Sequence, residues 1–263
     1  MATDVTVKIA GEAGQGIQTI GSLLSNVCHR SGLFIFAVND FESRIRGGYS
    51  FTSIRISDRP LLAPSLVPDI LVAIDAKTAD LDMDNLAGKG IALVNTEEKE
   101  SGDSNRYPIS LDNIAREAGG RIASNTVAAG LLLSILGSPL ERLEKEITEQ
   151  FSKKGEKVLA LNMAAAKAGY EKGEKIVFHT PLPFQDAADD RVIMTGADAA
   201  ALGALASNCR FFSFYPMSPA TGIFASAAPY TDHLPIVVEQ AEDEIAAVTM
   251  AIGSSFAGVR SLT

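Results

Sequence analysis

The 263-residue chain has no tryptophan, only 6% aromatic residues, and two cysteines, Cys28 and Cys209. No Cys-x-x-Cys pair occurs, so the chain cannot by itself supply the thiolates that hold an iron–sulfur cluster. Two cysteines so far apart read as reduced, partly buried thiols. Basic residues are outnumbered by acids, leaving a formal net charge of −9. That balance argues against a chain-wide affinity for nucleic acid or for an anionic membrane. No apolar run approaches the roughly 20 residues of a membrane-spanning helix. The opening Met1-Ala2-Thr3-Asp4 lacks the basic and apolar regions of a secretory signal, so the expected compartment is the cytoplasm. The three histidines, His29, His179 and His233, fall into no metal-ligand spacing, and no Ser/His/Asp arrangement stands out.

What remains is rich in glycine and alanine, a composition suited to helices packed closely on a parallel sheet. Val5 to Ala10 reads as a strand, ending in Gly11-Glu12-Ala13-Gly14-Gln15-Gly16. An amphipathic helix follows, with Ile17, Ile20, Leu23, Leu24, Val27 and Cys28 at helical spacing, and stops at Ser31-Gly32. Further strands are expected at 33–38, 51–56, 70–74 and 91–94. Apolar runs separated by helical or loop segments indicate a parallel sheet covered on two sides. Helices are expected at 125–136 (capped by Asn125 or Thr126), 140–151 and 158–169. The polar stretch 179–191, broken by Pro181 and Pro183, reads as a linker. Beyond it a second α/β pattern begins: an Ala-rich helix at 198–208, strands at 211–215 and 236–239, a helix from about Thr221, another at 241–256, and the start of a strand at 259. About three short strands seldom complete a domain, so this second unit is expected to be only the opening of one.

Four segments carry chemical interest. Gly11, Gly14 and Gly16 sit between a strand and a helix, where backbone N–H groups and the helix dipole can receive a phosphate. Their spacing is the reverse of the dinucleotide fingerprint, so either a tight packing turn or an anion site is open. Arg44 and Arg46 stand beside Gly47-Gly48, where they could grip a phosphate or carboxylate, or simply pair with Glu42 or Asp40. Tyr215-Pro216-Met217-Ser218-Pro219 ends a strand, and Ser218 offers a hydroxyl at the carboxyl edge of the sheet, where α/β folds hold ligands. It could equally cap the next helix. Glu244 is followed by Ile245, Ala246, Ala247 and Val248, so its helix face is expected to be buried. A buried carboxylate costs several kcal/mol unless paired or protonated, which suggests function rather than ornament.

Taken together and in this order, these motifs resemble the 2-oxoacid:ferredoxin oxidoreductases. Residues 1–178 look like that family's γ domain, carrying the Gly11–Gly16 opening, the Ser43-Arg44-Ile45-Arg46-Gly47-Gly48 loop with Ser50 and Arg55, and the Asn125 helix. Ala13 stands where the family usually has glycine. Residues 192–263 resemble the start of the α subunit's thiamine diphosphate domain. The implied fold is α/β: a three-layer γ-type domain with a mainly parallel sheet, then an incomplete thiamine-binding domain. By this resemblance Glu244 matches the glutamate that hydrogen-bonds the aminopyrimidine ring of thiamine diphosphate. Ser218 matches the hydroxyl residue, usually threonine, that contacts the 2-oxoacid carboxylate. Arg44, Arg46, Gly47, Gly48 and the Gly11–Gly16 turn are candidates for contacts to coenzyme A or a partner subunit. The resemblance further implies a β subunit carrying the diphosphate, Mg²⁺ and a [4Fe-4S] cluster, ferredoxin as electron acceptor, and a dimer of heterodimers. The γ-before-α order looks most like the 2-oxoglutarate branch, with pyruvate and branched-chain substrates open. The rival from another class is a non-catalytic α/β module that binds a nucleotide-like ligand.

Overall fold

The computed structural model describes residues 3–12, 14–42, 48–98, 105–186 and 190–263. The chain divides into two compact units, residues 1–190 and 191–263.

The first unit runs β1 (Asp4–Glu12), α1 (Ile17–Arg30), β2 (Phe34–Phe41), β3 (Tyr49–Ser57), β4 (Ile70–Ala73), α2 (Ala76–Asp82), β5 (Ile91–Val94), β6 (Arg106–Pro108), α3 (Leu111–Glu117), α4 (Ser124–Ile135), α5 (Leu140–Phe151) and α6 (Glu156–Gly173). One sheet has the order β2-β3-β1-β4-β5-β6. Strands β1, β4, β5 and β6 pair in parallel, while β3 runs antiparallel to both β1 and β2. The sheet is mainly parallel, as expected, with β3 as its one antiparallel member among the described strands. A short connection between β2 and β3 leaves no room for a crossover helix, and only an antiparallel pair can be joined that way. The three-residue β6 carries no apolar run and escaped periodicity.

The period-two pleat of each strand divides its side chains between two layers. Val5, Val7, Ile9, Ile70, Val72, Ile91 and Leu93 face the large core, shared with α1, α4 and α6. Ala10, Leu71, Ala73, Ala92 and Val94 face the other way, under α2. Between α4 and α6 the backbones nearly touch. A Cβ on Gly130 would meet the Ala166 carbonyl oxygen, and one on Gly169 would meet that of Val127. Helix α4 starts at Ser124 with no side-chain cap, contrary to the expected role of Asn125 or Thr126. The Thr126 hydroxyl instead donates to Asn162 Oδ1 across the α4–α6 seam at 2.6 Å.

The segment after α6 lies along the first unit. The Leu182 N–H donates to the Leu136 carbonyl at 2.9 Å, and Arg142 pairs with Asp186 at 2.9 Å. Cys28 is buried in the large core, and burial pushes its thiol far above the ordinary range.

The second unit comprises α7 (Gly196–Ala206), β7 (Phe211–Phe214), α8 (Ala220–Ala227), β8 (Val237–Gln240), α9 (Glu244–Phe256) and β9 (Ser261–Leu262). Its three strands are all parallel, in the order β8-β7-β9. Phe212, Phe214, Ala201, Leu205, Cys209, Ala227 and Ile236 form a separate small core. Among the described residues no helix is long and apolar enough to cross a membrane.

Candidate functional site

In the first unit, candidate chemistry gathers at the carboxyl ends of β1, β4 and β5. Gly14 (φ +90°) and Gly16 (φ +81°) hold left-handed backbone conformations that L-residues with a Cβ adopt only at a cost. Gly11 is needed for closeness: a Cβ there would collide with Oε1 of Gln15, which accepts from the Glu12 N–H at 2.7 Å. Gly16 lies directly against the Asn125 side chain, so the turn before α1 abuts the first turn of α4. Neither helix has a side-chain cap, and α4 continues a tight turn at 121–123 whose Arg121 carbonyl accepts from the Ser124 N–H.

Beside this junction is a cavity of about 570 Å³, lined by Gln15, Asp75, Asn95, Asp112, Arg121 and Asn125 among others. Several of these groups are already engaged. Asp75 Oδ1 caps α2 by accepting from the Thr78 N–H at 2.7 Å. Asn95 donates to the Ile74 carbonyl and accepts from the Leu111 N–H. Arg121 pairs with Asp112 at 2.9 Å. Sequence reasoning found the glycine turn but missed Asp75, Asn95 and Asn125 as cavity residues. The available signal was an acid or amide directly after a buried apolar strand, at Asp75 and at Asn95. Gly48 (φ +89°) packs against Glu42. Arg44, Arg46 and Gly47 lie outside the described residues.

In the second unit, Ser218 and Glu244 follow the carboxyl ends of neighbouring parallel strands. Phe214 of β7 stands in register with Gln240 of β8, and the Ala241 N–H donates to the Phe214 carbonyl at 2.7 Å. Past β7 the chain turns at once, the Met217 N–H donating to the Tyr215 carbonyl at 2.8 Å, and the Ser218–Pro219 peptide is cis. Past β8, Asp243 caps α9 by accepting from the Ala246 N–H at 2.7 Å, which makes Glu244 the first helical residue. Both candidates therefore occupy one edge of one sheet.

Glu244 is exposed in this chain, which corrects the expectation of a buried carboxylate. Only Ala247 and Ala251 of α9 are buried against the sheet, whereas Ile245 is 79% and Phe256 91% exposed. The apolar residues after Glu244 belong mostly to a face this chain leaves uncovered. The Glu244 carboxylate, on the first turn of α9, makes no hydrogen bond among the described residues. The Ser218 hydroxyl, at the same sheet edge, is also exposed. Among the described residues no three His, Cys, Asp or Glu side chains gather to hold a metal.

Residues 6–172 match the family described as pyruvate ferredoxin/flavodoxin oxidoreductase. Residues 202–263 match the thiamine diphosphate-binding domain of the pyruvate flavodoxin/ferredoxin oxidoreductases. A 2-oxoacid:ferredoxin oxidoreductase subunit alpha from Saccharolobus solfataricus is 25% identical over 97% of this chain and 49% of its own length. The chain thus spans about half the length of the curated relatives it matches. The structure of 2-oxoglutarate:ferredoxin oxidoreductase from Magnetococcus marinus, with 2-oxoglutarate, coenzyme A and succinyl-CoA bound, superposes with a TM-score of 0.87. It is 29% identical, over 98% of this chain and 47% of that one. A second structure, pyruvate oxidoreductase subunit PORC from Thermotoga maritima, matches 64% of this chain and 96% of its own, with a TM-score of 0.55 and 26% identity. With its γ-type sheet followed by the opening of a thiamine-binding domain, the chain belongs to the 2-oxoacid:ferredoxin oxidoreductase family.

Proposed function

We propose that this chain is the leading part of an α subunit, with the γ-type domain fused in front, of an enzyme that oxidatively decarboxylates 2-oxoglutarate. In this reading the acyl group passes to coenzyme A and the electrons to ferredoxin. The observation that carries it is the emergence of Ser218 and Glu244 from adjacent parallel strands onto one sheet edge. Such edges are where open α/β sheets hold ligands.

Thiamine diphosphate, when bound, supplies the carbanion that attacks the keto carbon. Glu244 would hold it at the pyrimidine ring, sharing a proton with a ring nitrogen and so promoting removal of the proton that activates it. The Ser218 hydroxyl would donate to the substrate carboxylate and orient the keto carbon toward the thiamine. A β subunit completes this half-site with the diphosphate, Mg²⁺ and a [4Fe-4S] cluster, in a dimer of heterodimers. For coenzyme A, the supporting feature is the polar cavity beside the Gly11, Gly14 and Gly16 turn, where α1 begins without a side-chain cap. Arg44, Arg46, Gly47 and Gly48 are proposed to contact coenzyme A or a partner subunit. The reading puts the complex in the cytoplasm.

The choice of 2-oxoglutarate rests on the likeness to the Magnetococcus marinus enzyme over 98% of this chain. Pyruvate is the second reading, because the first unit also resembles the Thermotoga maritima subunit. The full-length chain, co-expressed with its partner, should reduce a low-potential acceptor with 2-oxoglutarate and coenzyme A. It should do so at least tenfold more efficiently in kcat/KM than with pyruvate or branched-chain 2-oxoacids, on the order of a 1.4 kcal/mol preference. Faster turnover of pyruvate would move the chain to that branch, and no turnover of any 2-oxoacid would favour a non-catalytic module.

A further inference from the structure

In the second unit a polar side chain is buried where the small core would otherwise be apolar. Strand β7 reads Phe211-Phe212-Ser213-Phe214, and Ser213 is 0% exposed between two buried phenylalanines. Its hydroxyl donates to the carbonyl of Ala247 at 2.7 Å, a contact from the strand into the first full turn of α9. That carbonyl also lies within α9's own hydrogen-bond ladder, so it has no need of the serine to be satisfied. Apolar packing alone gives α9 little to hold it in register, because its buried residues are only Ala247 and Ala251. Alanine methyl groups slide past one another with little loss of contact. A hydrogen bond of fixed length and direction does not.

The position of this bond matters more than its strength. Ser213 precedes Phe214, where β7 ends and the turn to Ser218 begins. Ala247 lies one turn along α9 from Glu244. The bond therefore ties the strand that delivers Ser218 to the helix that begins with Glu244. The Asp243 cap fixes the helix's starting point, the Ser261 hydroxyl of β9 donates to the Ala251 carbonyl at 2.8 Å farther along, and the Ser213 bond holds the helix on the sheet at the turn that begins with Glu244.

We propose that Ser213 is a positioning residue for the reaction: its buried hydroxyl, bonded to the Ala247 carbonyl, sets Glu244 at its working place relative to Ser218. This inference rests on the thiamine reading above. Its effect runs through Glu244 alone, because Ser218 lies in the turn that continues directly from the serine's own strand and does not depend on the bond.

The test uses the full-length chain assembled with its partner subunit, comparing Ser213→Ala, Ser213→Cys and Glu244→Gln. Removing the hydroxyl orphans no acceptor, so Ser213→Ala should assemble and melt as the wild type does. Misplacing a catalytic group by a fraction of an ångström to 1 Å costs roughly ten- to a hundredfold in rate. Ser213→Ala should therefore lower kcat by about that factor while leaving the KM for the 2-oxoacid within about twofold. Ser213→Cys, with a weaker donor of similar size, should recover part of the loss. Wild-type kcat in Ser213→Ala, beside an inactive Glu244→Gln, would overturn the positioning role and leave the thiamine reading standing. A fall in kcat matched by lost assembly or a lower Tm would reduce the serine to a core contact. Full activity in Glu244→Gln would overturn both.

Discussion

Single residues in this chain derive their significance from what lies beside them in space rather than in sequence. Gly16 is the clearest case. It combines a left-handed backbone (φ +81°) with direct contact to Asn125, whereas Gly14 (φ +90°) has open space around it. A methyl group on either residue brings backbone strain of about 1–2 kcal/mol, and only on Gly16 does it also drive into a neighbour. Gly16→Ala should thus lower the stability of the first unit by more than Gly14→Ala does, both by at least about 1 kcal/mol. Urea denaturation of the two variants checks the order; equal losses would mean that Asn125 yields freely. The strand–glycine–helix junction could be read directly from Gly11-Glu12-Ala13-Gly14-Gln15-Gly16. That Asn125 meets it could not, because nothing local links the two segments. Glu244 shows the opposite failure. The run Ile245-Ala246-Ala247-Val248 suggested burial, but apolarity does not say which molecule covers a face.

Among the elements, the seam between α4 and α6 is the tightest, and it is made by absent side chains. Gly169 in mid-helix would ordinarily be a liability, since alanine is better by about 1 kcal/mol in a helix interior. Here the added Cβ would strike the Val127 carbonyl oxygen, and the Gly130 contact to Ala166 prevents the helices from easing apart on one side only. Gly169→Ala should accordingly destabilise the first unit, by about 1–3 kcal/mol, reversing the usual sign. Thermal unfolding of the variant measures this, and a gain in Tm would show that the seam is loose. Most elements were legible because their apolar periodicity and stop signals agree: α1 ends at Ser31-Gly32 and α5 spans Leu140–Phe151 as expected. Strand direction was not. The alternating pattern of Tyr49–Ser57 is the same whether a strand runs up or down, and only its register with β1 and β2 shows that it is antiparallel. Three-residue β6 is held by pairing with β5, a tertiary cause with no sequence period.

On the scale of the whole chain, the two units present different stages of completeness. The first has a six-stranded sheet with side chains buried on both faces. The second has three parallel strands and an outer helix whose Ile245, Val248, Ile252 and Phe256 stand exposed. An apolar stripe of that kind calls for cover, as does a half-site consisting of one carboxylate and one hydroxyl. The chain spans about half the length of its relatives, and under the proposed reading both would be covered in the full-length assembled enzyme. The most direct measurement is 2-oxoacid-dependent reduction of a low-potential acceptor by the full-length complex carrying Glu244→Gln. The account predicts an intact complex with turnover lowered by at least about 10²-fold, the scale on which acid–base catalysis contributes. Turnover within a few-fold of the wild type would contradict it.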